Sequence, residues 1–227
     1  MTARSLLALL LIGCPDIAPI EDGKSYGSIV TIKDSFTSCY LLKAGAQVIL
    51  FDSCWRHSAL KAGLDQHGLT PAQVTHVFMT HGHGDHVGGL SLMPQAKVHA
   101  LRPEQPNLTD NGRWHAAIDE VLRDGQELRF GAHTIRVLAV PGHTPGTAVY
   151  WVDGVVILGD SARVNTKGQI VSEEGFSEKP EQAADSLASL ASRLQREQLR
   201  VDWLVPAHTG SARGVQPLVD FAASHSR

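Results

Sequence analysis

The chain has 227 residues, 43% of them hydrophobic and 19% charged, which supplies a sizeable core and excludes wholesale disorder. Twenty Lys and Arg against 23 Asp and Glu give a net charge of −3 with no basic run, which argues against a nucleic-acid-binding surface. The outlying count is twelve histidines, three of which fall within residues 81–86 beside an aspartate.

At the start, MTARSLLALLLIGCPD places Arg4 ahead of an apolar stretch at 6–12 that is too short to span a bilayer as a helix. Length and flanks fit a secretory signal better than a transmembrane segment. Leu11-Ile12-Gly13-Cys14 also resembles a bacterial lipoprotein box, in which the cysteine is lipidated after cleavage. On that reading residues 1–14 are a signal segment, and the protein is an exported, periplasmic lipoprotein held at a membrane through Cys14. The other reading keeps the segment as a packed apolar element of a cytoplasmic protein, with Cys14 a buried thiol.

Short β-rich runs follow at 28–33, 38–43 and 48–51, the last two joined by the turn Ala44-Gly45-Ala46-Gln47. Residues 56–67 have helical spacing and stop at Gly68. A compact apolar run at 75–79 reads as a buried strand, 87–92 as a short helix closed by Pro94, and 97–101 as a strand. Residues 102–118 show no period and read as a loop. Strands resume at 127–130, 134–139, 147–152 and 155–158. A second irregular stretch, 161–179, precedes the clearest helix, 180–199, where Pro180 suits the first turn and Ala184, Leu187, Ala191 and Leu194 share a face. A strand at 203–206 and a helix near 215–223 complete the chain. Strands and helices alternate in two halves with no linker between them. This predicts one α/β domain over residues 15–227, its helices covering the sheets from outside.

The chemistry concentrates in His81-Gly82-His83-Gly84-Asp85-His86, directly after an apolar strand. The small glycines let the loop curl and bring four side chains to one point. Imidazole with carboxylate suits zinc, iron or manganese, and the lack of cysteine in the cluster argues against a purely structural zinc finger.

This motif resembles the signature of the metallo-β-lactamase-fold hydrolases, and four further motifs match the family in order. They are Phe51-Asp52-Ser53, Pro141-Gly142-His143-Thr144-Pro145-Gly146, Leu158-Gly159-Asp160-Ser161 and Pro206-Ala207-His208-Thr209-Gly210. The resemblance implies a four-layer αβ/βα sandwich with the site along one edge between the sheets. It implies two zinc ions, with iron or manganese as alternatives: one held by His81, His83 and His143, the other by Asp85, His86 and His208, with Asp160 contacting both. Asp52 would be a structural aspartate near the metal loop. Asp85 would also orient the shared hydroxide that attacks the substrate, since two adjacent ions can share such a nucleophile and clamp the oxygens of a hydrolytic transition state.

Fold and metal do not fix the substrate. Nineteen residues follow His208, so the C-terminal helical domain of the glyoxalase II enzymes is missing, which disfavours a glutathione thioester. Arg163 stands where quorum-quenching lactonases carry a tyrosine. The expectation is a hydrolase of a small ester, thioester or lactone-like molecule. β-Lactam hydrolysis is the alternative, and a mononuclear iron persulfide dioxygenase the third. Trp114, Arg163 and Lys167, in the two irregular stretches, are the candidate substrate anchors, because loops on a rigid scaffold commonly carry such contacts. The other seven histidines read as surface or packing residues. Cys39 and Cys54 flank a predicted hairpin and read as inert buried thiols, with a disulfide open to them if the chain is exported.

Overall fold

Strand alternation divides the apolar residues of each sheet between two faces, so each sheet needs cover on both sides. The computed structural model of the chain, which describes residues 16–109, 116–173 and 175–225, shows how that cover is arranged. The first half runs β1 (Ser25–Tyr26), β2 (Ile29–Asp34), β3 (Thr37–Ala44), β4 (Gln47–Phe51), α1 (His57–Asp65), β5 (His76–Phe78), α2 (Gly84–Val87), β6 (Lys97–Leu101), α3 (Gln105–Thr109) and β7 (Glu120–Leu122). The second runs β8 (Glu127–Phe130), β9 (His133–Ala139), β10 (Ala148–Val152), β11 (Val155–Gly159), β12 (Ala162–Val164), β13 (Ile170–Ser172), α4 (Pro180–Arg196), β14 (Trp203–Pro206), β15 (Ala212–Arg213) and α5 (Gln216–His225).

One sheet has the order β1-β2-β3-β4-β5-β6-β7 and the other β15-β14-β11-β10-β9-β8, with β12 and β13 forming a separate hairpin. Three apolar clusters separate the layers. Tyr40, Leu42, Phe51, Phe78, Val137 and Tyr150 meet between the two sheets. Leu41, Leu50, Leu60, Leu64 and Val77 join the first sheet to α1. Leu138, Val149, Val156, Leu187, Ala191 and Leu194 join the second sheet to α4. Each fully buried Leu, Val or Phe here contributes about 1.5–3 kcal/mol relative to an exposed one. The expected four-layer sandwich is therefore present.

Departures from the sequence reading lie where elements are shortest. The loop expected over 102–118 contains the five-residue α3, and the irregular 161–179 contains the β12–β13 hairpin. β7 was not expected at all. Three-residue strands carry too little alternation to be read as strands. Cys39 and Cys54 are corrected as well: they are not thiols but a disulfide, with Cα atoms 5.1 Å apart. Cys54 leaves β4 in a left-handed turn (φ 58°) that aims its side chain back at Cys39, a reversal invisible in residue spacing. Cys14 lies outside the described residues.

One edge collects the functional loops. β4, β5 and β6 are parallel, and their C-terminal ends lead to Asp52, to Thr80 and His81, and to Glu104. β11 and β14 are parallel too, and β9 points the same way through antiparallel β10; these end at Asp160, His208 and His143. Crevices at the carboxyl ends of parallel strands are the usual ligand sites of such sheets.

Candidate metal centre

Seven side chains from four loops converge at this edge. His81, His83, His143 and Asp160 form one cluster and Asp85, His86 and His208 an adjoining one, with the offered ligand atoms of each within 4.8 Å of one another. The structure thus brings together the seven residues singled out in the sequence, with Asp160 grouped among the first four. Asp160 reaches across: its Oδ2 is 3.0 Å from His208 Nε2, 3.5 Å from His143 Nε2 and 3.8 Å from His81 Nε2, while Oδ1 is 3.2 Å from His86 Nε2. Asp85 Oδ2 lies 3.3 Å from His208 Nε2 and 3.6 Å from His86 Nε2.

Outer partners fix which ring nitrogen of each histidine faces inward. Asp52 accepts from the Thr80 backbone N–H and hydroxyl at 2.7 Å and meets His86 Nδ1 at 2.8 Å. The single hydroxyl proton of Thr80 goes to Asp52, so at the 3.0 Å contact with His81 Nδ1 the histidine is the donor. Nδ1 of His208 donates to the Phe36 carbonyl at 2.9 Å. Ser177 gives its proton to the Glu173 carbonyl, leaving His143 Nδ1 to donate to Ser177 Oγ at 3.3 Å. Outer partners of this kind set the tautomer and ring orientation of ligand histidines.

His81 and His143 present proton-free Nε2 atoms to each other at 3.2 Å. Lone pairs so close repel unless a positive charge lies among them. His86 Nε2 and Asp160 Oδ1 are both buried and, though 3.2 Å apart, neither makes a well-directed hydrogen bond. Buried polar atoms are almost always satisfied, so this pair is unexplained by the protein alone. A divalent ion in each cluster satisfies both observations, and the nitrogen and oxygen donor set suits zinc, iron or manganese.

Protonation differs between the clusters. Burial holds His81 well below its ordinary range, with His86 adding to the effect, and it lowers His143 to about 4 against the pull of Asp160. Burial also opposes charge on His86, but Asp160 and Asp52 outweigh it and hold His86 well above the usual value. Burial opposes charge on His208 too, but its hydrogen bond to Asp160, the Asp160 charge and the Phe36 carbonyl together outweigh that cost and raise it.

Glu104 is a residue that sequence reasoning missed. It is fully buried, and it accepts from Gly82 N and Asn107 Nδ2 on one oxygen and from Thr144 Oγ1 and Gly146 N on the other, at 2.6–3.0 Å. One carboxylate thus ties the His81–His83 loop to the His143 loop. A Cβ on Gly146 would come within 2.4 Å of the Glu104 backbone, and one on Gly82 within 2.8 Å of Asn107, which explains both glycines. No local signal marks Glu104, because its role exists only once the two sheets meet. Phe36, half exposed in the β2–β3 turn, stacks on His208 at 5.7 Å and lies 5.2 Å from Trp55, giving the centre an apolar rim.

The expected substrate anchors are placed differently from one another. Arg163 is ion-paired with the buried Glu173 carboxylate on the β12–β13 hairpin. Lys167 lines a groove with Gln216, Asp220 and Phe221 of α5, and none of the seven cluster residues lines it. Trp114 lies outside the described residues.

Fold and centre together define an enzyme class. The profile of the metallo-beta-lactamase superfamily matches residues 32–208, and the chain belongs to that superfamily as a hydrolase of its fold. It is 33% identical over 177 residues to metallo-beta-lactamase domain-containing protein 1 of Xenopus laevis, covering 72% of this chain and 67% of that one. It is 34% identical over 142 residues to hydroxyacylglutathione hydrolase of Anaeromyxobacter dehalogenans (strain 2CP-C), covering 63% and 49% respectively. The chain spans about half the length of the hydroxyacylglutathione hydrolases it matches. The fold is shared with BJP-1, a subclass B3 metallo-beta-lactamase of Bradyrhizobium japonicum, with a TM-score of 0.69 over 94% of this chain at 18% identity.

Proposed function

We propose that the protein is a dinuclear, zinc-dependent hydrolase of a small ester, thioester or lactone-like substrate. The observation that carries this is Asp160, whose two oxygens face ligands of both clusters, so that one residue can serve two cations. When bound, two such ions lower the pKa of water toward neutrality and polarise the scissile carbonyl. The chain's own residues do the rest. Asp85, the most exposed of the carboxylates here, is placed to accept a proton from attacking water and orient it. Asp52 and Thr80 keep His81 and His86 in the tautomers that face inward. Phe36 and Trp55 offer an uncharged acyl group a flat surface beside His208.

β-Lactam hydrolysis is the second reading, supported by the fold shared with a subclass B3 enzyme over nearly the whole of both chains. We also propose work outside a reducing cytosol, with lipidation at Cys14, supported by the Cys39–Cys54 disulfide and the sequence ahead of it. Elemental analysis of protein purified without chelator should approach two equivalents of zinc. Panels of esters, thioesters, lactones and β-lactams should then show turnover that chelation abolishes. A zinc content near zero after reconstitution would end the dinuclear reading, and preference for β-lactams would exchange the two substrate readings. Palmitate labelling lost in Cys14→Ser would test the anchor.

A further inference from the structure

The disulfide sits where two supports of the centre meet. Cys39 lies on β3 between Ser38 and Tyr40, whose side chains project to the opposite face. Ser38 Oγ donates to the Ala207 carbonyl at 2.8 Å and Tyr40 OH to the Pro206 carbonyl at 2.5 Å, the two residues ahead of His208. The turn that leads into the same strand supplies the Phe36 carbonyl to His208 Nδ1. β3 therefore holds the His208 loop.

Cys54 ends the segment that holds His86. Asp52 meets the His86 ring, and Ser53 donates from its backbone N–H and its hydroxyl to the His86 carbonyl at 2.7 and 2.8 Å. Asp52 and Cys54 both take left-handed backbone conformations, which persist in residues other than glycine only when the surroundings over-determine them. The cross-link is part of that determination.

We propose that the Cys39–Cys54 disulfide is a redox-controlled tether that sets the spacing of His86 and His208 and so governs whether the Asp85/His86/His208 cluster holds its ion. This rests on the dinuclear reading above. Both sulfurs are fully buried in close-packed surroundings, and two unbonded thiols need more room than two bonded sulfurs. Reduction therefore pushes β3 and residues 52–54 apart, and each carries one ligand's support. The chain beyond stays anchored, because Asp34 accepts from the Trp55 and Arg56 backbone N–H groups and pairs with Arg56. The His81/His83/His143 cluster touches Asp52 only indirectly, through Thr80 behind His81, and has its own frame in Glu104. Reduction takes two electrons and two protons to break the S–S bond and form two thiols; with a phosphine, the phosphine becomes its oxide and water supplies the oxygen.

The test is cobalt titration of the metal-free full chain in three forms, read by visible absorption and by stoichiometry. The forms are oxidised wild type, wild type reduced with a phosphine and desalted without air, and the Cys39→Ala/Cys54→Gly variant, whose glycine suits the left-handed turn. The oxidised protein should take two equivalents. In the other two forms the first should bind as before and the second about 10-fold or more weakly, and air reoxidation of the wild type should restore it. Reduced wild type retains every side chain, so it stands if the variant folds poorly. Equal affinity for the second ion in all forms overturns the tether, as does equal weakening of both ions. Failure of the oxidised protein to bind any ion overturns the dinuclear reading itself, and the tether with it.

Discussion

The two clusters share a loop and a bridging carboxylate, yet they are supported by opposite means. His81, His83 and His143 sit on a frame whose central member is Glu104, a buried acceptor serving four donors from three segments. Asp85, His86 and His208 are more open, with Asp85 and His208 side chains 21% and 14% exposed against 0% and 1% for His81 and His143. In the closed cluster burial keeps His81 and His143 neutral, whereas in the open one Asp160 and Asp52 pull protons onto His86 despite burial. A neutral imidazole binds a cation directly, and a protonated one must first lose its proton. On the dinuclear reading proposed above, the difference predicts that the three-histidine cluster, prepared in advance, should fill first, while the other should compete with protons.

The largest effect should come from removing the bridge. Asp160→Ala leaves three histidines at the closed cluster but only Asp85, His86 and His208 at the open one, where the two imidazoles also lose the anion that favours their charge. Losing an outer partner alone commonly costs 10–100-fold in affinity, so loss of a direct ligand should weaken the second ion by about 100-fold or more. Zinc titration measures it. A variant that still binds two ions at wild-type affinity would remove Asp160 from the bridge and raise the β-lactam reading.

Glu104→Gln is the reciprocal test, aimed at the closed cluster. The amide keeps the shape but turns an NH2 group toward either Gly82 N–H or Gly146 N–H, neither of which can accept. The first ion should weaken about 10–100-fold with the second affected less. Cobalt absorption, which distinguishes the two environments, would show no selective weakening of the first ion if Glu104 were ordinary packing.

The pH dependence should separate the clusters more gently. His86 has a raised pKa in the metal-free fold, so its protonated form is favoured by folding below the ordinary value near 6.5, and that stabilisation is lost as pH rises through the raised value. The second ion must therefore expel a proton, and its affinity should climb with pH across neutrality. His143 stays neutral down to about 4 and burial holds His81 well below its ordinary range, so in mild acid the first ion should release fewer protons than the second. Calorimetry in buffers of different ionisation enthalpy counts the released protons. Equal release for both ions would break the comparison.

How much of this was legible follows the same divide. The seven candidate ligands stand in the sequence as compact polar runs after apolar strands, so motif and order locate them without the fold. Their supports do not behave that way. Glu104 lies in Leu-Arg-Pro-Glu, where an acidic residue after a strand reads as solvated, and only the approach of Thr144 and Gly146 from the other sheet makes it a buried acceptor. Cys39 and Cys54 were visible as a pair, but the left-handed turn that brings them together is a backbone choice the side chains do not announce. Phe36 reads as one exposed aromatic in a turn until His208 comes to lie against it.

The smallest effect tests the weakest support on either side. His143 has only the Ser177 hydroxyl behind its Nδ1, at 3.3 Å, whereas His86 has the Asp52 carboxylate at 2.8 Å. A long hydrogen bond between neutral groups contributes about 0.5 kcal/mol, and one to an ionised acceptor about twice as much or more. Ser177→Ala should therefore lower the first ion's affinity only about 2–3-fold. The loop would remain in place through the Glu178 and Lys179 N–H bonds to the His143 and Gly142 carbonyls. Asp52→Asn should cost more, because it also disturbs Thr80 and, through it, His81. Competition against a chromogenic chelator resolves changes of this size. If Ser177→Ala weakened the first ion as much as Asp52→Asn weakens the second, the closed cluster would depend on its hydroxyl rather than on Glu104, and the contrast between a prepared cluster and a proton-competing one would lose its structural basis.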